Sequence, residues 1–350
     1  MARLSGLRAI VAGAGAVGSV LALRLLDEGA EVVLADPAPL GANASGVAAG
    51  MLAPAFEAAL DPLSASHFKL LKAARDLWPE LVARLAGFGA GLDLSGSLWV
   101  GDAASSAAML ARLSGLGAQA EQLDAGQAAR MSPGLQAPAG AVFTPEDWSL
   151  EPRQVLAALR QAFEAGGGVV KAEQARALTD GPADLLILAT GFAADPWRDA
   201  LPKAGLLTPI KGQLAQLSAG APRSGPVVRT EGAYIVPRGS GPVAGATMEA
   251  GASDLEVDPA TIARLKASAA QLYPRLGTAE ATGAAGVRWA APDGLPLVGR
   301  SRRPDVRLAL GARRNGWLLA PLIAEVIADD LAGGRGGLWA RMLDPERFGA

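Results

Sequence analysis

Residues 7–36 read LRAIVAGAGAVGSVLALRLLDEGAEVVLAD, and this stretch decides the fold. Leu7 to Ala12 is a short apolar run that predicts a buried strand. It leads at once into Gly13, Ala14, Gly15, Ala16, Val17 and Gly18. In a strand-to-helix turn of this spacing the first Gly permits the bend, the second lets backbone approach a pyrophosphate, and the third lets helix and strand pack closely. The helix that follows is apolar nearly all round through Leu23, as suits a buried one. Arg24, Asp27 and Glu28 come only near its end, and Gly29 stops it. Glu31 to Asp36 is a second strand. Asp36 lies about 20 residues beyond the glycines, where a carboxylate accepts from the ribose hydroxyls of an adenosine. A 2′-phosphate would be repelled there, which disfavours a phosphorylated nicotinamide cofactor. A secretory signal or membrane anchor is the competing reading, with Arg3 and Arg8 ahead of an uncharged run from Ala9 to Leu23. Three glycines at fingerprint spacing inside that run, with charges soon after it, oppose both.

At 350 residues the chain exceeds one ordinary core, so two domains are expected. Its 32 Lys and Arg against 34 Asp and Glu leave no basic footprint for nucleic acid, which points to small-molecule partners. The absence of Cys removes disulfides, thiolate nucleophiles and thiolate metal sites. A single histidine, His67, cannot build a His-cluster metal site. No metal, no nucleic acid and no membrane association are expected, and the protein is read as soluble and cytoplasmic. Oligomeric state is left open.

Farther along, the small residues of Ala44-Ser45-Gly46-Val47-Ala48-Ala49-Gly50-Met51 would let backbone lie flat against a planar ligand, or would serve as an Ala/Gly linker. Ser66 to Gly87 reads as one helix kinked by Pro79. Helices are expected over Ala103–Leu116, from Asp124 to Met131 behind a capping box with Gln127, and over Pro152–Ala165. The run Leu185 to Gly191 suits a buried parallel strand whose C-terminal edge, at Thr190 and Gly191, faces a ligand. From Leu214 to Met248 the pattern changes to short strands separated by Gly, Pro and Ser, as in an antiparallel sheet. Asp258-Pro259 opens a helix, Gly286–Ala290 and Val306–Gly311 return as strands, and Gly316–Leu331 is a last apolar helix.

Four separated blocks then line up: the Gly13–Gly18 fingerprint, Ala48-Ala49-Gly50-Met51-Leu52, Pro292-Asp293-Gly294-Leu295-Pro296, and Arg314-Asn315-Gly316 followed by Leu318-Leu319-Ala320-Pro321. Together they resemble the D-amino acid oxidase family of FAD enzymes, and most closely its glycine oxidase branch, which serves thiamine synthesis. The resemblance implies an α/β fold, with a Rossmann-like FAD domain of the glutathione-reductase type and a second, antiparallel-sheet substrate domain. Residues 1–90, 145–205 and 285–350 would form the first, and residues 91–144 and 206–284 the second. It implies that Gly13, Gly15, Ala16, Val17 and Gly18 hold the FAD pyrophosphate and Asp36 the ribose. Ser45, Ala49, Gly50 and Met51, with Thr190, Gly191, Asn315 and Gly316, would complete the flavin site.

For the substrate, the resemblance implies that Arg288 and Tyr234 hold a carboxylate, with Arg314 a further pocket residue. Ala312 and Arg313 replace a His and an aromatic usual before the Arg-Asn-Gly, and Trp289 stands where Pro is usual. Without Cys, and with His67 outside the blocks, the FAD is expected to be non-covalent. The implied activity is oxidative deamination of glycine or another small amino acid or N-methyl amino acid, with O2 reduced to H2O2. The alternatives are a D-amino acid dehydrogenase that uses a quinone or other acceptor, and a flavin-fold binding module without turnover.

Overall fold

The computed structural model describes residues 3–178, 183–192, 197–203, 205–334 and 337–349. The opening stretch folds as the strand Arg8–Ala12, the helix Ala16–Asp27 and the strand Glu31–Ala35. Gly13 turns the chain at φ +102°, and a Cβ there would stand 2.6 Å from the Ala189 carbonyl oxygen. A Cβ on Gly18 would stand 1.8 Å from the Gly13 carbonyl oxygen. Space alone therefore demands glycine at both ends of the fingerprint.

Six strands form one sheet, in the order Leu297–Arg300, Val306–Leu310, Leu185–Leu188, Arg8–Ala12, Glu31–Ala35 and Val169–Lys171. Only the first pair is antiparallel. From Arg8–Ala12 the chain moves outward to one side through Glu31–Ala35 and Val169–Lys171, then returns to the other side at Leu185–Leu188. The reversal opens a crevice at the carboxyl ends of the two central strands, where doubly wound sheets bind ligands. The helices Ala16–Asp27, Pro152–Ala165 and Gly316–Leu331 bury their apolar faces against this sheet in a shared core that contains Val11, Leu21, Leu159 and Ile323.

The second sheet has nine strands. Its path runs Glu249–Ala250, Thr208–Leu217, Val243–Gly245, Ala233–Val236, Val227–Thr230, Ser97–Trp99, Ala141–Thr144 and Glu121–Leu123. Ala281–Ala290 pairs with Thr208–Leu217 over ten residues, so position 285, expected to open the last FAD-domain segment, lies in mid-strand. A small third sheet joins Met51–Leu52, Trp148–Leu150 and Leu92–Asp93.

The helices Ala103–Leu116 and Pro152–Ala165 have the predicted bounds, and the Asp124 capping box forms with Gln127. The single helix expected over Ser66–Gly87 is instead a 3₁₀ turn at Ala65–His67 and two helices, Phe68–Asp76 and Trp78–Arg84. Pro79 has no N–H to continue the first helix and sits where a second can begin. The strand expected from Leu214 starts already at Thr208, because Lys211 and Gln213 are buried polar residues. Lys211 pairs with Asp254 and Gln213 bonds Glu249, so neither shows in a hydropathy pattern. Among the described residues no helix is long and apolar enough to cross a membrane.

Candidate active site

The predicted site residues fall into two adjoining groups. Gly13, Gly15, Ala16, Val17 and Gly18 surround the start of the Ala16–Asp27 helix at the sheet's reversal point. Asp36 closes the second strand; its Oδ2 accepts from the Ala14 N–H at 2.8 Å and its Oδ1 from Ala38 at 2.9 Å, which holds the carboxylate against the glycine turn. Ser45 reaches the same helix start, where its Oγ accepts from the Ala16 N–H at 2.9 Å. Thr190 and Gly191 follow the neighbouring strand, with Thr190 Cα 3.1 Å from where a Gly13 Cβ would be.

The second group lines one cleft of about 440 Å³ on the nine-stranded sheet, closed by residues 44–60 and 314–317. Ala49, Gly50 and Met51 form one wall, Asn315 and Arg314 another, and Tyr234 and Arg288 stand on the large sheet. Gly316 is the first residue of the last long helix, directly behind Asn315, and no side chain caps that helix. Its free N–H groups leave the positive end of the helix dipole at this wall. Trp317 ties the two groups together, because its Nε1 donates to the Ser45 carbonyl at 3.0 Å.

The Arg288 guanidinium and the Tyr234 phenol converge because two glycines make room. A Cβ on Gly212 would stand 2.3 Å from Arg288 Nη2, and one on Gly245 would stand 2.2 Å from the Tyr234 hydroxyl. Gly212 and Gly245 lie on adjacent strands, since Leu214 pairs with Gly245. The guanidinium thus lies over one strand and the phenol over the next. Arg288 Nη1 reaches only the Thr247 carbonyl at 3.5 Å and Met248 Sδ at 3.3 Å, and no carboxylate pairs with it among the described residues. Burial lowers its pKa, while Tyr234 and Glu57 act the other way. Burial likewise raises that of Tyr234, so the phenol stays a donor, although Arg288 and Arg229 oppose the shift.

Arg314 is occupied differently. Its Nε pairs with Glu57 Oε2 at 2.5 Å and its Nη2 with Asp61 Oδ2 at 3.5 Å. Glu57 lies on the helix Pro54–Leu60 and also pairs with Arg229 Nη2 at 3.5 Å. Arg313 takes Asp61 from the other side, at a positive φ of 49°. Although burial pushes the Asp61 carboxyl up, Arg313 and Arg314 hold it below its ordinary value. Trp289, the other departure from the family pattern, stacks on Phe192 with ring centroids 4.3 Å apart.

Glu57, Asp61, Arg229, Gly212 and Gly245 were not singled out in the sequence. A signal existed for the acids, since Glu57 and Asp61 are four apart in an otherwise apolar run, where unpaired acids are not buried. For the glycines the signal was weaker: a strand glycine marks a close approach without naming what approaches.

A profile of the DAO family, described as FAD dependent oxidoreductase, matches residues 8–330. The chain belongs to this family. Relatives include glycine oxidase of Geobacillus kaustophilus, 28% identical over 346 residues and covering 91% of each chain. The crystal structure of glycine oxidase from the same organism superposes with a TM-score of 0.82 over 97% of this chain and 98% of that one. The bifunctional protein ThiO/ThiG of a Nostoc species is 30% identical over 356 residues, which span 91% of this chain and 52% of that protein. As a member of the family the protein is an FAD-dependent oxidoreductase, and its residues fit the cofactor. The glycine turn has no room for a Cβ at Gly13 or Gly18, the Ala16 helix start is of the kind that receives a pyrophosphate, and the Asp36 carboxylate is held against that turn by the Ala14 N–H.

Proposed function

We propose that this protein catalyses oxidative deamination of glycine or another small amino acid or N-methyl amino acid, with O2 reduced to H2O2. A place in thiamine biosynthesis is part of the same reading, supported by the similarity to the glycine oxidase and ThiO/ThiG relatives. One observation carries it. Of the three cations lining the cleft, Arg229 and Arg314 share Glu57, whereas Arg288 has no carboxylate partner among the described residues and lies beside a buried phenol. A guanidinium without a carboxylate partner calls for an anion, and its planar fork matches a carboxylate in two places.

In this reading the six-stranded sheet belongs to the FAD domain and the nine-stranded sheet to the substrate domain. Non-covalent FAD, held by the fingerprint, Asp36, Ser45, Thr190, Gly191 and the Ala49–Met51 and Asn315–Gly316 walls, would supply the two-electron chemistry at the substrate α-carbon. Arg288 and the Tyr234 O–H donate to the carboxylate and set the direction of the rest of the molecule. The free N–H groups of the first turn of the Gly316–Leu331 helix would stabilise negative charge at the opposite wall. Positioning supplies most of the catalysis, and an amine that arrives neutral requires no acid or base side chain.

Anaerobic addition of glycine, sarcosine, D-alanine and D-proline to the yellow protein is the test. Bleaching of the visible flavin band by glycine or sarcosine, reversed by air with stoichiometric H2O2, is expected. Bleaching without H2O2 on admission of air would make it a dehydrogenase, and a yellow protein that bleaches with none of the four would overturn the substrate reading.

A further inference from the structure

Glu57 is a buried carboxylate that the carboxylate-binding pair leaves unexplained. It is 6% exposed and lines the same cleft as Arg288 and Tyr234, and its charge acts on both of them. The other carboxylate on the cleft lining, Glu231, is exposed on the turn between two strands at the rim. Glu57 is also held still. Its helix starts at Pro54, and the N–H groups of Ala55 and Phe56 donate to the fully buried Asp147 carboxylate at 2.8 and 3.2 Å. Arg314 Nε lies 2.5 Å from Oε2 as an ion pair without hydrogen-bond alignment, and Arg229 Nη2 stands 3.5 Å from Oε1, which keeps the capacity to accept.

We infer that Glu57 accepts a hydrogen bond from the substrate amine, so that the cleft recognises an amino acid at both ends. This rests on the reading of Arg288 and Tyr234 as the carboxylate site. Arg288 offers donors only, the Tyr234 phenol adds an O–H donor, and Glu57 offers acceptors, which together complement a carboxylate joined to an N–H. The two arginines on Glu57 outweigh its charge and keep it in place, with no aligned hydrogen bond to Oε2 among the described residues. Their positive field also disfavours an ammonium and favours the neutral amine, the form from which oxidation proceeds. A secondary amine in its neutral form retains one N–H, so an N-methyl substituent does not remove the contact. A site built to accept an N–H rejects the isostere that lacks it, because its own polar group is then left unpaired.

The test uses two isosteric ligands without an α-hydrogen, so that neither turns over: 2-aminoisobutyrate, which has the amine, and pivalate, which has a methyl in its place. Each is titrated into the FAD-loaded protein, and binding is read from the shift of the visible flavin spectrum. The native protein is expected to bind 2-aminoisobutyrate at least about tenfold more tightly than pivalate. In Glu57→Gln the amide oxygen is claimed by Arg314 and the NH2 turns to the cleft. Affinity for 2-aminoisobutyrate is then expected to fall about tenfold or more, with that for pivalate within twofold of native. Glu57→Asp, which keeps the charge, should retain part of the preference. A parallel loss for both ligands in Glu57→Gln would make the residue merely structural and overturn the proposal. Equal affinities in the native protein would overturn it without any variant. If the native protein binds neither ligand, the carboxylate site at Arg288 falls, and this proposal with it. Bleaching by amino acids is scored separately, so the ligand preference stands or falls independently of turnover.

Discussion

Arg288 and Tyr234 owe their positions to side chains that are absent. Gly212 and Gly245 are ordinary strand residues by backbone pairing, yet each leaves a space that a cleft-lining side chain fills. Replacing Arg288 by Ala should raise KM for the amino acid about 100-fold, the size of a lost charge-assisted pair of about 2–3 kcal/mol. Unchanged KM in steady-state kinetics would remove Arg288 from the site. Gly212→Ala should act in the same direction through the guanidinium it displaces, with KM raised about tenfold and FAD content unaffected. If Gly212→Ala leaves KM at the native value, the guanidinium finds its place by other means. Arg288 and Tyr234 were legible from their motif positions. Their glycine floor was not, since spacing in sequence does not show which side chain lies over which strand.

Among the elements, the helix Pro54–Leu60 departs most from its sequence impression. Its residues follow the Ala/Gly segment and are assigned no element from the sequence, but the helix carries Glu57 at the cleft and is anchored by Asp147 from the far side of the chain. Burial pushes the Asp147 carboxyl up to about 6, against the opposing effects of Arg229 and the two backbone donors. A folded-state pKa above the unfolded value means that the native protein holds the proton more tightly. The resulting stabilisation is full below about pH 4 and is lost as pH rises through about 6. Relative to Asp147→Asn, the native protein should therefore lose about 2 kcal/mol of stability between pH 4 and pH 6. Denaturant unfolding of both proteins across that range measures the difference. Asp61 and Glu146, whose pKa values are lowered, titrate in both proteins and cancel. A difference that does not change with pH would contradict the assignment to Asp147.

At the scale of the molecule, one topological reversal places the glycine turn beside Thr190 and Gly191, and the last long helix brings Asn315 to the same cleft from the other end of the chain. Cofactor binding should accordingly stabilise the fold as a whole. FAD at about 1,000 times its Kd is expected to add ~4 kcal/mol to the unfolding free energy, read as a rise in Tm. In Gly18→Ala the new Cβ meets backbone at Gly13, so this gain should disappear while the secondary structure seen by circular dichroism persists. A Gly18→Ala protein that is stabilised by FAD as much as the native one would separate the fingerprint from the cofactor.

Local chemistry was sufficient, from the sequence alone, for the strand, turn and helix of residues 7–36, the caps at Asp124 and Asp258, and the switch from parallel to antiparallel pairing. These follow from backbone geometry, capping and periodicity within a few residues. Tertiary structure alone decided that Arg229, Arg313 and Arg314 gather around Glu57 and Asp61 while Arg288 is left without an acid among the described residues. Those residues come from four separated stretches of chain. Which charges neutralise one another depends on distances of a few ångströms across a buried cleft, and no spacing along the sequence encodes them.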